Sequence, residues 1–353
     1  MIYGHGDDGW RYGRITADFS SNVYYGADNS ALVEFLRSHI DDIRHYPEPV
    51  PHTLESRLAE AYGLPEGTVC VTNGATEAIY LIAQAFAGSR SAIFQPAFSE
   101  YGDACHLHGH FVKHIFAEAD LFSGDGFIRE AQIPEGTQTQ MCWLCNPCNP
   151  TGHVYSNELI EQLLASHPDC VFVIDQSYSA FMEYRMPSLA ALANYPNLLV
   201  LHSLTKSHAV PGLRLGWITG CAKLMERIRF CRMPWSVNAL AVAAGLFFAE
   251  KTLSTSKNGA LVNLPELLSE CRKLREKIGA LEGFEVAPTH THFMLCRTAK
   301  HTASELKDYL AKEQGILIRD ASNFPGLDGG CFRIATQKSE LNKILLSGLK
   351  SFI

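Results

Sequence analysis

Cys170-Val171-Phe172-Val173-Ile174 is apolar at every position and ends on a carboxylate, Asp175. A half-exposed strand alternates apolar and polar residues, so an unbroken apolar run predicts a strand covered on both faces, as in the parallel sheets of α/β proteins. Further strand-like runs begin near Val69, Ala92, Met141, Leu198 and Leu215, separated by helical or loop stretches. The alternation predicts a three-layer α/β fold around a mostly parallel central sheet. In such sheets ligands bind beyond the carboxyl ends of the strands, where Asp175 stands. After Pro234 the pattern changes. A helix-rich stretch from about Val237 to Leu281 precedes short strands at His292 to Arg297, Ile316 to Arg319 and Cys331 to Ala335, which reads as a smaller α+β domain. The expected division is a large domain over 30–245 and a small one over 246–353 that is joined by 1–29.

The segments that follow these strands carry the chemistry. Asn73-Gly74-Ala75-Thr76-Glu77-Ala78 reads as a glycine turn into a helix start, whose free N–H groups and positive dipole end suit an anion. Taken alone it is weak, because small residues and a threonine open many helices that bind nothing. Gln95-Pro96-Ala97-Phe98-Ser99-Glu100-Tyr101 offers Phe98 to cover a flat ring, although a core aromatic gives the same pattern. In Asn146-Pro147-Cys148-Asn149-Pro150-Thr151-Gly152 two Asn-Pro pairs hold the chain out of regular structure and leave the Asn amides able to bond. Tyr178 follows Asp175 by one turn. Finally, Ser203-Leu204-Thr205-Lys206 and Gly212-Leu213-Arg214 set a lysine among small hydroxyl residues with an arginine eight positions later. Burial and neighbouring cations can strip such a lysine of its proton near neutral pH, while Ser203, Thr205 and Arg214 suit a phosphate.

Taken in order, these motifs resemble those of the class I and II aminotransferases, the fold-type I enzymes that use pyridoxal 5′-phosphate. The resemblance runs from about His45 to the C-terminus. It implies Lys206 as the covalent carrier of the cofactor, Asp175 on the pyridine nitrogen, and Asn149 and Tyr178 on the phenolic oxygen. Phe98 would stack on the ring, and Ala75, Thr76, Ser203, Thr205 and Arg214 would hold the phosphate. Tyr46 would reach over from a second subunit of a homodimer. Arg333 matches the arginine that holds a substrate carboxylate. Two branches share most of this pattern. The stretches Met233 to Ala241 and Ile316 to Leu327, with the early His5-Gly6, resemble the threonine-phosphate decarboxylases of cobalamin biosynthesis; the histidinol-phosphate aminotransferases are the alternative. Either way a small phosphorylated amino compound is the expected substrate, met by His5, Asn149, Arg319 and Arg333. The decarboxylase reading gives L-threonine O-3-phosphate converted to (R)-1-aminopropan-2-yl phosphate. That branch usually continues His-Gly-Gly-Asn, whereas this chain has Asp7 and Asp8, two carboxylates that would repel a substrate phosphate if they faced it. Gln176-Ser177 likewise stands where Glu-Ala is usual. Orientation chooses between the reactions, because the bond broken at Cα is the one held perpendicular to the cofactor ring. Arg333 pinning the carboxylate near the ring plane favours transamination. A phosphate anchor at Arg319, or at the turn from Arg232 to Trp235, favours loss of the carboxylate.

Composition narrows the partners. A net charge of -7 without a basic run speaks against nucleic acid and anionic membranes. The longest apolar runs fall short of the roughly 20 residues that span a bilayer, and the N-terminus lacks a signal sequence, so a cytoplasmic location is expected. Two metal-like patterns carry no metal expectation. Cys142, Cys145 and Cys148 lack a fourth ligand, Gly152 standing in its place; Cys142 and Cys145 read as opposite faces of a buried strand and Cys148 as part of the Asn-Pro turn. His106, His110 and His114 would share a face if that segment were helical, but no further ligand completes a set.

Overall fold

Seven strands form the central sheet in the spatial order Val69–Thr72, Gly216–Gly220, Leu198–Ser203, Val171–Asp175, Met141–Cys145, Arg90–Gln95 and Phe111–Phe116. The structure, a computed structural model, describes residues 6–116, 120–184, 186–187, 189–192, 194–254 and 262–352. Gly216–Gly220 runs antiparallel to both of its neighbours. The segment 204–215 that leads into it holds only the short 3-10 turn Pro211–Leu213, and a parallel return would have required a crossover. The other strands are parallel, as the apolar runs predict.

Side chains of each central strand alternate between two apolar layers. Trp143, Cys145 and Val173 pack with Ile79, Ile82 and Ile228 on one face. Cys142, Leu144, Phe172 and Ile174 pack with Leu159, Leu163 and Leu198 on the other. Cys142 and Cys145 therefore point to opposite faces, which is the buried-strand reading of the cysteine run. The histidine stretch is a correction. The helix Glu100–Leu107 ends before Gly109, whose φ of +73° turns the chain toward the strand Phe111–Phe116. His110 is buried between Ser91 Oγ (2.7 Å) and the Ala83 carbonyl (2.8 Å), and His114 meets Gln95 on the sheet, so no shared helical face exists.

A second, antiparallel sheet has the order Phe284–Val286, Phe293–Thr298, Cys331–Ala335, Arg319–Asp320. Its apolar cluster unites Phe284, Met294, Phe332 and Ile334 with Leu274, Leu306 and Leu345, and draws in Ala17 and Phe19 from the N-terminal segment. Ala17–Asp18 pairs in parallel with Ile316–Leu317, which ties that segment down. Asp328-Gly329-Gly330 is the turn before the last strand: Asp328 Oδ1 accepts from the Gly330 amide (2.9 Å). The register sets Arg319 directly opposite Arg333. Among the described residues no helix is long and apolar enough to cross a membrane.

Candidate active site

The carboxyl ends of the central strands open into one cleft. Its walls include Ala75, Thr76, Phe98, Asn149, Asp175, Tyr178, Ser203, Thr205, Lys206 and Arg214 from the large sheet, with Arg319 and Arg333 from the small one. Twelve expected site residues, spread over 258 positions of sequence (333 − 75), thus meet in one place.

One end is shaped for a phosphate. Gly74 opens the helix Gly74–Ala85 with a φ of +78°, and a Cβ there would lie 2.6 Å from Arg214 Nη2. A Cβ on Gly216 would lie 2.7 Å from the Ala75 amide nitrogen. The two glycines let the helix start, the guanidinium and the adjoining strand approach until no side chain fits between them. Arg214 itself takes a left-handed φ of 56° and donates from Nη1 to the Pro211 carbonyl (3.2 Å).

At the centre lies Lys206. Burial pushes its amino group down to about 8, with Arg333 and Arg214 adding to the effect against the opposing pull of Asp7 and Asp18. A fraction of it is therefore neutral and nucleophilic near neutral pH. Asp175 stands at the end of its strand, buried, with Oδ2 accepting from Tyr101 Oη (2.7 Å) and Oδ1 from the Ser177 amide (2.8 Å). Burial raises its carboxyl while those donors pull it down. Tyr178 packs edge-on to Phe293 at 4.9 Å, and burial pushes its hydroxyl up to about 12, which keeps it a proton donor.

The far end is cationic. Arg319 and Arg333 are both 5% exposed and sit opposite each other across an antiparallel pair. Arg333 donates to Asn149 Oδ1 and to the Ser20 carbonyl. Arg319 donates to Asn323 Oδ1 (2.9 Å) and to the Asp320 carbonyl, and lies 5.1 Å from the Phe324 ring centroid. Among the described residues these are all neutral oxygens, and no carboxylate forms an ion pair with either arginine. Burial and the charge of Arg333 push Arg319 down to about 10, against the weaker opposing pull of Asp320 and Asp8, neither of which forms an ion pair with it.

Two expectations change. Arg232 does not face the cleft: its Nη1 bonds Glu55 Oε1 at 2.5 Å in a buried pair. A charge at that turn is already neutralised, so it is no phosphate anchor. Asp7 and Asp8 part company. Asp8 turns away to a buried ion pair with Lys307 (2.6 Å), and Asp7 alone lines the cleft, its amide donating to Ser20 Oγ (2.8 Å) at a left-handed φ of 62°. Burial and the nearby Asp18 raise the Asp7 carboxyl. Tyr46, expected to serve a second subunit, is 86% exposed and its ring is tilted against Trp235 (5.3 Å), outside this chain's own cleft. His5 lies outside the described residues. Two further cleft residues were not expected: Tyr101, about one turn past Phe98 in the same motif, and Ser20, which no motif marks.

These residues fit pyridoxal phosphate: a cradle closed to any side chain, a buried lysine that gives up its proton more readily than a free one, and a fixed carboxylate across the cleft. Gly74→Ala tests the cradle. The added methyl and the φ of +78° together are expected to weaken cofactor retention roughly tenfold with the fold intact, read by equilibrium dialysis against free cofactor. Unchanged retention would mean that the phosphate lies elsewhere.

Comparison with known proteins gives the same reading. The family described as aminotransferase class I and II matches residues 14–349. Over 340 residues the chain is 30% identical to the threonine-phosphate decarboxylase of Salmonella typhimurium, covering 95% of this chain and 91% of that one. It is also 30% identical over 328 residues to a histidinol-phosphate aminotransferase of Thermoanaerobacter sp., covering 91% and 88%. Among solved structures it resembles the L-threonine-O-3-phosphate decarboxylase of Porphyromonas gingivalis, with a TM-score of 0.86 and 37% identity over 95% of this chain and 99% of that one. With its fold, cleft and sequence in agreement, the chain belongs to the class I and II aminotransferases, and it is a pyridoxal-phosphate-dependent enzyme of fold type I.

Proposed function

We propose that this enzyme decarboxylates L-threonine O-3-phosphate to (R)-1-aminopropan-2-yl phosphate, a step of cobalamin biosynthesis. The observation that carries the reading is the pair Arg319 and Arg333, side by side, buried and without a carboxylate partner. A buried pair of guanidiniums without a directly paired carboxylate is stabilised by binding an anion, and two of them suit a substrate with both a phosphate and a carboxylate. The withdrawal of Asp8 to Lys307 removes one of the two carboxylates that would have opposed a phosphate. Resemblance to the solved decarboxylase at 37% identity supports the same branch.

When bound, the cofactor supplies an electron sink for whichever bond at Cα stands upright. The chain decides which bond that is. Arg319 is assigned the substrate phosphate and Arg333 the carboxylate, and the distance between these anchors sets the tilt of the carboxylate. Lys206 is assigned the proton returned to Cα, and Asp175 the positive charge on the ring nitrogen. The second reading is transamination, favoured by the equal identity to the histidinol-phosphate aminotransferase.

Incubation with threonine phosphate, and separately with histidinol phosphate plus 2-oxoglutarate, separates the two. Carbon dioxide from the first without any keto acid is the expected result, and glutamate from the second would replace the proposal with the aminotransferase. Arg319→Leu should raise KM for threonine phosphate at least about tenfold and leave KM for unphosphorylated threonine within about twofold, because a charge-assisted phosphate contact is lost. Equal effects on both would remove Arg319 from the phosphate site.

The same reading makes the protein a cytoplasmic homodimer with 30–245 as the cofactor domain and 246–353 with 1–29 as the substrate-covering domain. Tyr46, Phe230, Met233 and Trp235 leave large apolar surfaces exposed, a face suited to a second copy that would bring Tyr46 to its partner's cleft.

A further inference from the structure

We infer that Tyr101 is the positioning residue that keeps Asp175 ionised and aimed at the cofactor's ring nitrogen. The inference rests on the assignment of Asp175 to that nitrogen. Asp175 is buried, and its two oxygens are held separately: Oδ1 by the Ser177 amide at 2.8 Å, Oδ2 by the Tyr101 hydroxyl at 2.7 Å. Both donors favour the anion, because a protonated carboxyl would have to give up one of them. Without them burial would drive the carboxyl toward its neutral form.

Tyr101 is built to hold this place. It is 1% exposed, its ring stacks on Trp143 (centroids 5.6 Å apart, planes 21° apart), and Phe98 meets it edge-on at 6.0 Å. Burial and the Asp175 charge push its hydroxyl well above the ordinary tyrosine value, so it remains a donor at every working pH. Phe98, the ring-covering aromatic, and Asp175, the ring-nitrogen partner, thus rest on one side chain. Trp143 sits on the strand Met141–Cys145, whose last residue, Cys145, is the register partner of Asp175. The support therefore comes from the sheet and is not free to move with the cleft.

The consequence concerns a single proton. Between a ring nitrogen and a carboxylate the proton goes to the stronger base. Removal of the Tyr101 hydroxyl makes Asp175 the stronger base, and the proton leaves the nitrogen. A neutral ring withdraws electrons from Cα less well, so turnover falls while binding contacts persist.

Tyr101→Phe tests this with the ring packing retained. The holoenzyme is loaded with cofactor carrying 15N at the ring nitrogen, and the nitrogen chemical shift is compared among wild type, Tyr101→Phe and Asp175→Asn. The expected result is a pyridinium shift in wild type, a displacement toward neutral pyridine in both variants, and a roughly tenfold fall in kcat for Tyr101→Phe with KM within about twofold. A displaced shift in Asp175→Asn with a wild-type shift in Tyr101→Phe would overturn the role of Tyr101 alone. No displacement in either variant would overturn the assignment of Asp175 beneath it. Near-ultraviolet circular dichroism of the cofactor-free proteins guards against misfolding, and Tyr101→Trp, which restores a donor at another position, should recover no more than part of the shift.

Discussion

Lys206→Ala leaves the enzyme without covalently retained cofactor and lowers turnover by more than about a thousandfold. Reduction with borohydride followed by intact mass measurement should detect the cofactor adduct on wild type and none on the variant. An adduct that survives the substitution would place the carrier lysine elsewhere. The same substitution has a second effect, visible without cofactor. In the folded protein the Lys206 amino group titrates near 8, against 10.5 for a free lysine. Between those values the unfolded chain holds the proton and the folded protein does not. The unfolded state therefore binds more protons, and the contribution of Lys206 to stability rises with pH across that window. Below it the folded protein bears the full cost of a buried ammonium beside Arg333 and Arg214. Cofactor-free Lys206→Ala should consequently be more stable than wild type to urea at neutral pH, and the gap should shrink as pH climbs from about 8 to 10.5. A gap that stays constant over that range would mean that the folded protein does not lower the Lys206 amino group, and its nucleophilicity would need another source.

Why the large-sheet half of the site was legible follows from where its residues lie. Each sits within a few positions of a strand end, and the strands are so uniformly apolar that both their sites and their carboxyl ends stand out. Asp175 at the end of Val171–Asp175 and Lys206 just past Leu198–Ser203 are local statements about sequence. Glycines and Asn-Pro pairs mark the turns because few other residues tolerate those backbones. What was illegible depends on register and on contacts between distant segments. That Arg319 lies opposite Arg333 follows from which residues of two short strands pair, and a slip of one position would send one of the two side chains to the other face. Asp7 and Asp8 are adjacent and identical, yet one enters the cleft and the other meets Lys307, nearly three hundred positions later. The left-handed φ of Asp7 turns the chain between them, and nothing local says which side is the cleft. The antiparallel course of Gly216–Gly220 is intermediate: the shortness of 204–215 contained the signal. Tyr101 was in view, one turn beyond Phe98, but its worth depends on Asp175, 74 positions on.

Arg232→Met should destabilise the cofactor-free protein by about 3 kcal/mol while leaving the KM for a phosphorylated substrate unchanged. The turn from Arg232 to Trp235 has the chemistry of a phosphate anchor when read as sequence, and the structure gives the arginine a different task. Its side chain is 4% exposed and that of Glu55 8%, their closest approach is 2.5 Å, and Glu55 Oε1 also accepts from the Val71 amide at 2.9 Å. One ion pair thus joins the helix His52–Tyr62, the edge strand Val69–Thr72 and the end of the helix Ala222–Cys231. Removing the guanidinium alone strands a buried carboxylate, to which Arg229 at 3.9 Å can offer only a distant charge. Removing both charges does not: Glu55→Leu combined with Arg232→Met replaces the pair by apolar groups of similar size, and should recover most of the loss even though the Val71 amide forfeits its acceptor. Urea midpoints of the two single variants and the double variant close the cycle. A double variant as unstable as the sum of the singles would mean that the two side chains act independently, and a raised KM in Arg232→Met at unchanged stability would return this arginine to the phosphate site. The contrast with Arg319 and Arg333 is the physical core of the proposed assignment: a buried arginine that already has its carboxylate holds the fold together, whereas two without an ion-paired partner suit the phosphate and the carboxylate of the proposed substrate.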